Sequence, residues 1–235
     1  PDISYVERTT ELIAKRLRPG QLVVLESTTY PGTSDEVVKV ILEKTGLKAG
    51  RDFAIAYSPE REDPGNVSFS TSTIPKVVGA NSNPERDMAV AIYETITKVV
   101  TVADMKTAEA VKLTENIFRA VNIALVNELK VICAAMGIDV WEVIEAAKTK
   151  PFGFMPFYPG PGLGGHCIPV YPRFLMQGEG PSALPALGRQ VNDAMPGYVV
   201  RRAEELLGGL AGKRVLIMGL TFRPDVAVTF HTNAV

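Results

Sequence analysis

Residues 105–136 contain neither proline nor glycine, the two residues that most often interrupt a helix. Such a run predicts one long helix, and a helix of this length usually bridges domains or builds an interface. Before it, short apolar runs alternate with helical segments, and after it helices and loops dominate. We therefore expect a chain divided into several parts rather than one self-contained domain.

Four apolar runs rich in β-branched residues precede the long helix, and each predicts a buried strand. The runs are residues 21–26, 52–57, 76–80 and 98–102. Helices are predicted at residues 4–17, 33–44 and 83–97. This alternation predicts an α/β fold with a partial Rossmann-like parallel sheet, whose functional loops lie at the carboxyl ends of the strands.

The part after the long helix predicts helices and a further strand. Residues 151–172 are broken by proline and glycine, and helices are predicted at 184–194 and 198–207. Residues 213–219 predict the first strand of a second Rossmann-like domain. The predicted parts are residues 1–104, a helical domain at 105–210 and the start of a further domain at 211–235. Because no strand precedes the first helix and only sixteen residues follow the last strand, we expect a piece of a larger protein.

Composition argues against several classes of function. Lysine and arginine number 25 against 26 acidic residues, and no basic run is present, so nucleic acid is not an expected partner. No apolar stretch approaches the roughly 18–20 residues of a membrane span. The two cysteines lie 34 positions apart in unlike surroundings, which indicates a reducing, cytoplasmic location. Two histidines are too few for a zinc site, so no metal is expected.

A glycine-rich loop that leads to Cys167 is the strongest chemical signal. Residues 160–169 read GPGLGGHCIP, and glycines let a backbone approach a ligand closely. A cysteine attacks as a thiolate and needs a positive neighbour near neutral pH. The alternative is a structural cysteine in a turn. Cys133, on an apolar helix face, is predicted to be packed in the core.

A polar stripe follows the long helix. Lys112 and Asn116 are one turn apart, so both could reach one oxygen atom. A solvated helix face is the alternative, but two asparagines, which are weak helix formers, favour a polar function. The stripe consists of Glu109, Lys112, Asn116, Arg119, Asn127 and Lys130.

Polar loops follow two of the predicted strands. Residues 27–29 read Ser-Thr-Thr, and residues 58–61 read Ser-Pro-Glu-Arg. Hydroxyl and carboxylate groups at the carboxyl ends of parallel strands commonly handle cofactors and reacting water. Each loop is weak evidence alone, because serine and threonine also open helices.

Together these motifs resemble the UDP-glucose/UDP-N-acetylhexosamine 6-dehydrogenase family. The motifs are ESTTYPGT at 26–33, SPER at 58–61, EAVKLTEN at 109–116 and GGHCIPV at 164–170. The resemblance runs nearly the whole length of the chain. The residues of the SPER and GGHCIPV motifs are more similar to those of the UDP-N-acetylhexosamine branch than to those of the animal UDP-glucose enzymes.

The resemblance implies an NAD-dependent, two-step oxidation of the C6 alcohol of a UDP-sugar to the uronic acid, in polysaccharide biosynthesis. It implies a homodimer that forms through the long helix. Cys167 would form a thiohemiacetal and then a thioester, and Glu60 would activate the water that hydrolyses it. Lys112 and Asn116 would stabilise an oxyanion, and Thr28 would position a water or the cofactor.

The resemblance also assigns binding roles. Residues 157–162 would wrap the nucleotide sugar, and Arg223 would contact its phosphates. The implied cofactor-binding residues are Ser27, Thr28 and Cys167. The implied substrate-binding residues are Glu60, Arg61, Lys112, Asn116, Arg119, Phe157, Tyr158, Gly160, Gly162, Gly164 and Arg223.

Two positions depart from the family pattern. Tyr171 stands where the family has an aspartate that assists the cysteine and lysine, and a phenol is not an anion near pH 7. Phe230 stands where an arginine would contact the cofactor, and a GxGxxG fingerprint is absent, so this chain alone is expected to bind NAD poorly. Two alternatives stay open: a catalytically inactive dimerisation module or degenerate homologue, and a cysteine hydrolase with Lys112 as base.

Overall fold

Each of the four predicted apolar runs forms a strand. The strands are β1 (Leu22–Leu25), β2 (Ala54–Tyr57), β3 (Lys76–Gly79) and β4 (Val99–Val102). This computed structural model describes residues 2–62, 68–165, 167–176, 183–221, 229 and 232. The chain divides into two compact units, Pro1–Glu115 and Asn116–Val235.

Some of the helices in the described residues pack on this sheet, and the others come after it in the sequence. A π-helix, Ser34–Lys39, continues directly into α2. The α-helices are α1 (Ser4–Ala14), α2 (Val40–Glu43), α3 (Asn83–Tyr93), α4 (Met105–Ala135), α5 (Val140–Lys148), α6 (Cys167–Val170), α7 (Pro172–Met176) and α8 (Ala183–Leu207). The predicted long helix is therefore confirmed as α4, whose residues belong partly to each unit.

The sheet has the order β1-β2-β3-β4 and is mixed. β1 pairs with β2 in parallel, and so does β3 with β4. β2 and β3 are antiparallel and meet through the single pair Tyr57 and Gly79. The α/β fold is confirmed, but the prediction of an all-parallel sheet is wrong at this pair. Parallel neighbours need a crossover that is usually a helix, and the described residues between β2 and β3 contain none.

Alternate residues of the strands pack into two separate cores. Ile55 and Val77 lie in one cluster with residues of the π-helix, α2 and the first turns of α4. Ala56 and Val78 lie in the other with Ala89 of α3. Because successive strand side chains point to opposite faces, helices cover both faces of the sheet. The first unit is thus a three-layer α/β arrangement.

The second unit has a helical core. Val126 and Cys133 of α4 pack with Val140 and Ile144 of α5, and Phe157 packs against them. The prediction that Cys133 lies in the core is confirmed, since the residue is 7% exposed. The two helices predicted after residue 183 form one helix, α8, which contains Pro196.

The strand predicted at residues 213–219 is not formed. Residues 213–220 have no regular structure and are exposed, with Leu216 and Met218 at 83% and 88%. A strand must pair its backbone groups with a neighbour, and the described part of the second unit contains no strand to pair with. The predicted strand is therefore not formed in this structure, and the start of a further domain at residues 211–235 stays a prediction.

The buried carboxylate of Glu109 connects α4 to the π-helix. Its Oε1 accepts hydrogen bonds from the Ser34 backbone N–H at 2.8 Å and the Ser34 hydroxyl at 2.7 Å. Its Oε2 accepts from the Gly32 backbone N–H. Burial raises the pKa of Glu109, although these hydrogen bonds act in the opposite direction. Glu109 therefore has a structural partner at a helix amino terminus, where a carboxylate is favourable.

Gly79 lies where β3 passes closest to the start of α4. A Cβ atom there would lie 2.2 Å from the Asp104 carbonyl oxygen and 2.8 Å from the Ala108 Cβ. We predict that Gly79→Ala lowers the free energy of unfolding by about 3 kcal/mol, because backbone must move. Urea unfolding followed by circular dichroism measures this. In the control, Gly197→Ala in α8, the Cβ meets only the end of Arg201, so equal losses would contradict the prediction.

We also predict that Glu109→Gln lowers the free energy of unfolding by about 1–3 kcal/mol. The amide nitrogen that replaces one carboxylate oxygen cannot accept a hydrogen bond, so a buried donor loses its partner. Thermal unfolding measures the change. Glu128→Gln, at an exposed position of the same helix, is the control and should leave stability nearly unchanged. A Glu109→Gln variant as stable as the control would show that the carboxylate does not anchor the π-helix.

Candidate active site

Glu60 and Lys112 meet in the first unit. Pro59 is buried directly after β2, and the backbone N–H of the next residue, Glu60, donates to the Glu26 carbonyl oxygen at 3.3 Å. The Lys112 Nζ donates a hydrogen bond to the backbone carbonyl oxygen of Glu60. The Glu60 side chain itself is 47% exposed. Thus the structure brings together two of the predicted site residues and leaves the carboxylate accessible.

The surroundings of the Glu60 carboxylate favour its ionised form. Its Oε1 accepts from the Glu62 backbone N–H at 2.6 Å, and the Lys76 Nζ lies 3.4 Å from Oε2. Partial burial raises the pKa of Glu60, but the backbone hydrogen bonds and the positive charge of Lys76 outweigh burial and hold it below its usual value. Glu60 is therefore ionised at neutral pH and can accept a proton.

A buried group beside Glu60 was not predicted from the sequence. Lys76, at the start of β3, is 6% exposed, and its Nζ donates to Glu26 Oε1 at 2.8 Å. The Tyr93 hydroxyl donates to the same oxygen at 2.5 Å. Burial and the hydrogen bond to Glu26 raise the pKa of Tyr93. A lysine inside an apolar strand run was the available sequence signal, because buried lysines are almost always paired.

Arg61 makes two contacts within the first unit. Its Nη1 donates to the Pro75 carbonyl oxygen at 2.7 Å, and its Nη2 lies 2.8 Å from Glu115 Oε1. The guanidinium thus ties the loop after β2 to the start of β3 and to α4. The substrate-binding role of Arg61 stays a prediction, and these contacts give the side chain a structural role as well.

The loop after β1 presents three hydroxyls in different surroundings. Ser27 is exposed, Thr28 is half-buried, and Thr29 is 1% exposed. The Thr29 hydroxyl has no hydrogen-bond partner among the described residues. Gly32, with a φ of 113°, then turns the chain into the π-helix. The sequence indicated Thr28 as the functional hydroxyl of this loop, whereas Thr29 is the one whose hydroxyl is buried without a partner among the described residues.

The polar stripe of α4 is not a solvated face in the second unit. Asn116 is 5% exposed and Asn127 is 0% exposed, whereas Arg119 is exposed. The Asn127 Oδ1 accepts from the Gly160 backbone N–H at 2.9 Å, and its Nδ2 donates to Asn192 Oδ1 at 2.9 Å. Asn127 therefore anchors the start of the glycine-rich loop to α4 and α8. Asn192 was missed because the sequence shows it only as one polar residue in a helix.

The glycine-rich loop ends at Cys167. Gly162 and Gly165 have φ values of 118° and 82°, which other residues rarely adopt. Cys167 is exposed and is the first residue of α6, so the expectation of irregular structure to residue 172 is wrong for this turn. The Tyr171 backbone N–H donates to the Cys167 carbonyl oxygen at 3.0 Å. This hydrogen bond closes one helical turn between Cys167 and Tyr171.

The predicted sugar-wrapping residues lie beside aromatic partners of the second unit. The Phe157 ring packs edge-on against Phe118 with centroids 5.8 Å apart. The Tyr158 ring stacks on Trp141 at 5.9 Å, and its hydroxyl donates to Glu145 at 2.6 Å. These contacts hold the segment that leads into the glycine-rich loop, where Gly160, Gly162 and Gly164 are partly exposed.

The predicted site residues are divided between the units. The first unit holds Ser27, Thr28, Glu60, Arg61 and Lys112. The second unit holds Asn116, Arg119, Phe157, Tyr158, Gly160, Gly162, Gly164 and Cys167. The binding role predicted for Arg223 and the departure at Phe230 fall outside the described residues.

The described residues provide neither a membrane-spanning helix nor a metal-binding cluster. None of their helices combines the length and the apolar character that crossing a membrane requires. Their histidine, cysteine and acidic side chains form no group of three or more that could hold a metal ion.

Comparison with known proteins gives matches along most of the chain. A sequence model described as the UDP-glucose/GDP-mannose dehydrogenase family, NAD binding domain, matches residues 1–97. A model of the same family's central domain matches residues 106–192. The two matches meet near the start of α4.

Similar proteins cover the whole chain. It is 40% identical to UDP-N-acetyl-D-glucosamine 6-dehydrogenase of Pseudomonas aeruginosa, covering 100% of this chain and 58% of that protein. It is 38% identical to UDP-N-acetyl-D-mannosamine dehydrogenase of Methanocaldococcus jannaschii, covering 99% and 53%. The solved UDP-D-ManNAc dehydrogenase from Pyrococcus horikoshii superposes with a TM-score of 0.92 at 33% identity, covering 99% and 57%. The chain thus spans little more than half the length of these relatives.

The carboxyl end of β1 fits a bound NAD. The unpartnered, buried hydroxyl of Thr29 would be satisfied by a polar group of a ligand. Ser27, Glu26 and Tyr93 line one side of a cavity of about 360 Å³ beside β1. Dinucleotides bind at the carboxyl ends of strands in this fold. The chain belongs to the UDP-glucose/GDP-mannose dehydrogenase family, and its amino-terminal unit is part of that family's NAD binding domain.

Proposed function

We propose that the protein containing this chain oxidises the C6 alcohol of a UDP-sugar to the uronic acid. A UDP-N-acetylhexosamine is the favoured substrate class, with UDP-glucose as the other candidate. The observation that carries the proposal is Glu60, an ionised and accessible carboxylate whose backbone is held by Lys112. The names of the relatives, UDP-N-acetylglucosamine and UDP-N-acetylmannosamine dehydrogenases, support this reaction class.

The first oxidation converts the alcohol into an aldehyde. NAD, when bound, would supply the hydride acceptor for each of the two oxidations, and the hydroxyl proton of the alcohol would pass to water. The Lys112 ammonium and the Asn116 amide, one helical turn apart on α4, stabilise the negative charge that develops on the reacting oxygen. Thr28, at the end of β1, positions a water or the cofactor near the sugar carbon.

The second oxidation passes through Cys167. Its thiolate forms a C–S bond to the aldehyde carbon, which gives a thiohemiacetal, and loss of the second hydride leaves a thioester. Glu60 takes a proton from a water that attacks the thioester carbon, the C–S bond breaks, and Cys167 leaves as thiolate. The exposure of Cys167 and the ionised state of Glu60 support these roles.

Substrate binding is assigned to side chains around the glycine-rich loop. The loop's backbone is accessible because its glycines carry no side chain, and Asn127 holds its start in place. The exposed side chains of Arg119 and Tyr158 suit contact with the nucleotide. Arg61 and Arg223 supply further positive charge for the diphosphate.

We further propose a homodimer formed through α4. Exposed apolar side chains recur along this helix at intervals of three, four or seven residues, so they form one stripe. Leu125, Leu129 and Ile132 are 53%, 40% and 47% exposed. Apolar stripes on long helices are typical of helix–helix interfaces.

We predict that Cys167→Ser lowers NADH formation by the full-length protein at least about 100-fold, because no thioester can form. Absorbance of NADH is followed with UDP-N-acetylglucosamine, UDP-N-acetylmannosamine and UDP-glucose as substrates. Cys133→Ala, in the helical core, is the control and should remain active below its unfolding temperature.

Two results would contradict this function. A full-length protein that is inactive with all three sugars, but becomes active after Tyr171→Asp, would favour the inactive dimerisation module. Turnover of a UDP-sugar without NAD, abolished by Lys112→Ala, would favour the cysteine hydrolase.

We predict that Leu125→Glu with Leu129→Glu converts the dimer into a monomer, because two carboxylates per helix would be buried at the interface. Light scattering after size exclusion measures the mass. Leu206→Glu, on α8 and 76% exposed, is the control and should leave the mass unchanged. Dissociation by the control, or a dimer that survives both α4 changes, would refute the α4 interface.

A further inference from the structure

Lys76 places a buried ammonium between two carboxylates from different loops. Its side chain is 8% exposed, and its Nζ lies 2.8 Å from Glu26 Oε1 and 3.4 Å from Glu60 Oε2. Removing an ammonium from water is costly unless anions pair with it. The burial of this lysine therefore depends on both carboxylates, and one of them is the proposed base.

We propose that Lys76 is a positioning residue that holds the Glu60 carboxylate in its working orientation, and that Glu26 and Tyr93 hold Lys76. This inference rests on the proposed function, in which Glu60 accepts a proton from water. It adds a residue to that site which does not itself touch the substrate.

Each oxygen of the Glu60 carboxylate contacts one neighbouring polar group. The Glu62 backbone N–H donates to Oε1 at 2.6 Å, and Lys76 lies 3.4 Å from Oε2. A carboxylate oxygen has two lone pairs, so Oε2 can still accept a proton from water. Because the contact with Lys76 is long, the ammonium orients Oε2 without occupying it.

Lys76 is held by contacts on its other side. Glu26 Oε1 accepts hydrogen bonds from both the Lys76 ammonium at 2.8 Å and the Tyr93 hydroxyl at 2.5 Å. The Lys76 Nζ also lies 5.2 Å from the centroid of the Tyr93 ring, within the range of a cation–π contact. These contacts keep the ammonium from turning fully towards Glu60.

The other charged groups around Glu60 have contacts of their own. Arg61 pairs with Glu115, and Lys112 donates to the Glu60 backbone carbonyl oxygen. The charged and titratable groups that face Glu60 in the described structure are Glu26, Arg61, Glu62, Lys76, Tyr93 and Lys112. Loss of the Lys76 charge removes an attraction that favours the carboxylate, so the pKa of Glu60 must rise.

The first test is the pH profile of kcat in the full-length protein. With Lys76→Met we expect the acidic limb to move to higher pH by about half a unit or more, because Glu60 is then protonated at higher pH. On the neutral plateau, where Glu60 is ionised with and without Lys76, kcat should fall roughly tenfold with little change in KM, because the carboxylate is no longer held in place. Lys76→Arg should restore most of the profile, and Lys98→Met, at an exposed position, should match the unmodified protein.

The second test does not need activity. The Glu60 carboxyl carbon in the 13C-labelled full-length protein is titrated by NMR and assigned with Glu60→Gln. Lys76→Met should raise its midpoint. If Lys76→Met does not fold, the double variant Glu26→Gln with Lys76→Met is compared with Glu26→Gln alone, and the midpoint should be higher in the double variant because only the Lys76 charge differs.

An unchanged midpoint in a folded Lys76→Met variant, or the same midpoint in the double variant as in Glu26→Gln alone, would overturn the proposal. So would a Lys76→Arg variant that folds but keeps the shifted limb of Lys76→Met. A raised midpoint in a protein that forms no NADH with any UDP-sugar would refute the proposed oxidation, while still supporting the control of Glu60 by Lys76.

Discussion

The packing of the first turns of α4 against the sheet is the constraint on which the candidate site depends. Met105 and Ala108 lie in the sheet core, and Gly79 has no side chain to keep the helix away. Glu109 adds hydrogen bonds to the π-helix. Lys112 follows Glu109 by three residues, which places it on nearly the same helix face. The contact between Lys112 and Glu60 is therefore a consequence of how α4 docks.

The stripe along α4 joins several functions in one row of side chains. Glu109 is fully buried and structural, Lys112 contacts the Glu60 loop, and Asn127 supports the glycine-rich loop. A helix presents every third or fourth residue to the same side. A single long helix can thus anchor a sheet, supply a polar group and brace a loop without any turn between them.

Local patterns predicted the parts of this fold that depend on local chemistry. The four strands, the long helix and the buried Cys133 follow from runs of apolar residues and from the absence of proline and glycine. The antiparallel pairing of β2 with β3 and the Lys76 cluster depend on residues far apart in the chain, which no periodicity reveals. Residues 213–219 show the converse, because their apolar, β-branched composition is suited to a strand but supplies no partner.

β2 and β3 pair through a single pair of residues, and this boundary between the two halves of the sheet is here called the seam. On either side the strands are joined through four residue pairs each, whereas Tyr57 and Gly79 alone cross the middle. Cooperative unfolding units tend to separate where the backbone hydrogen bonds are fewest. The contacts of Lys76 with Glu26 and Glu60, and of Arg61 with Pro75, cross this same seam. The charged side chains that position the candidate base therefore also stabilise the association of the β1–β2 pair with the β3–β4 pair.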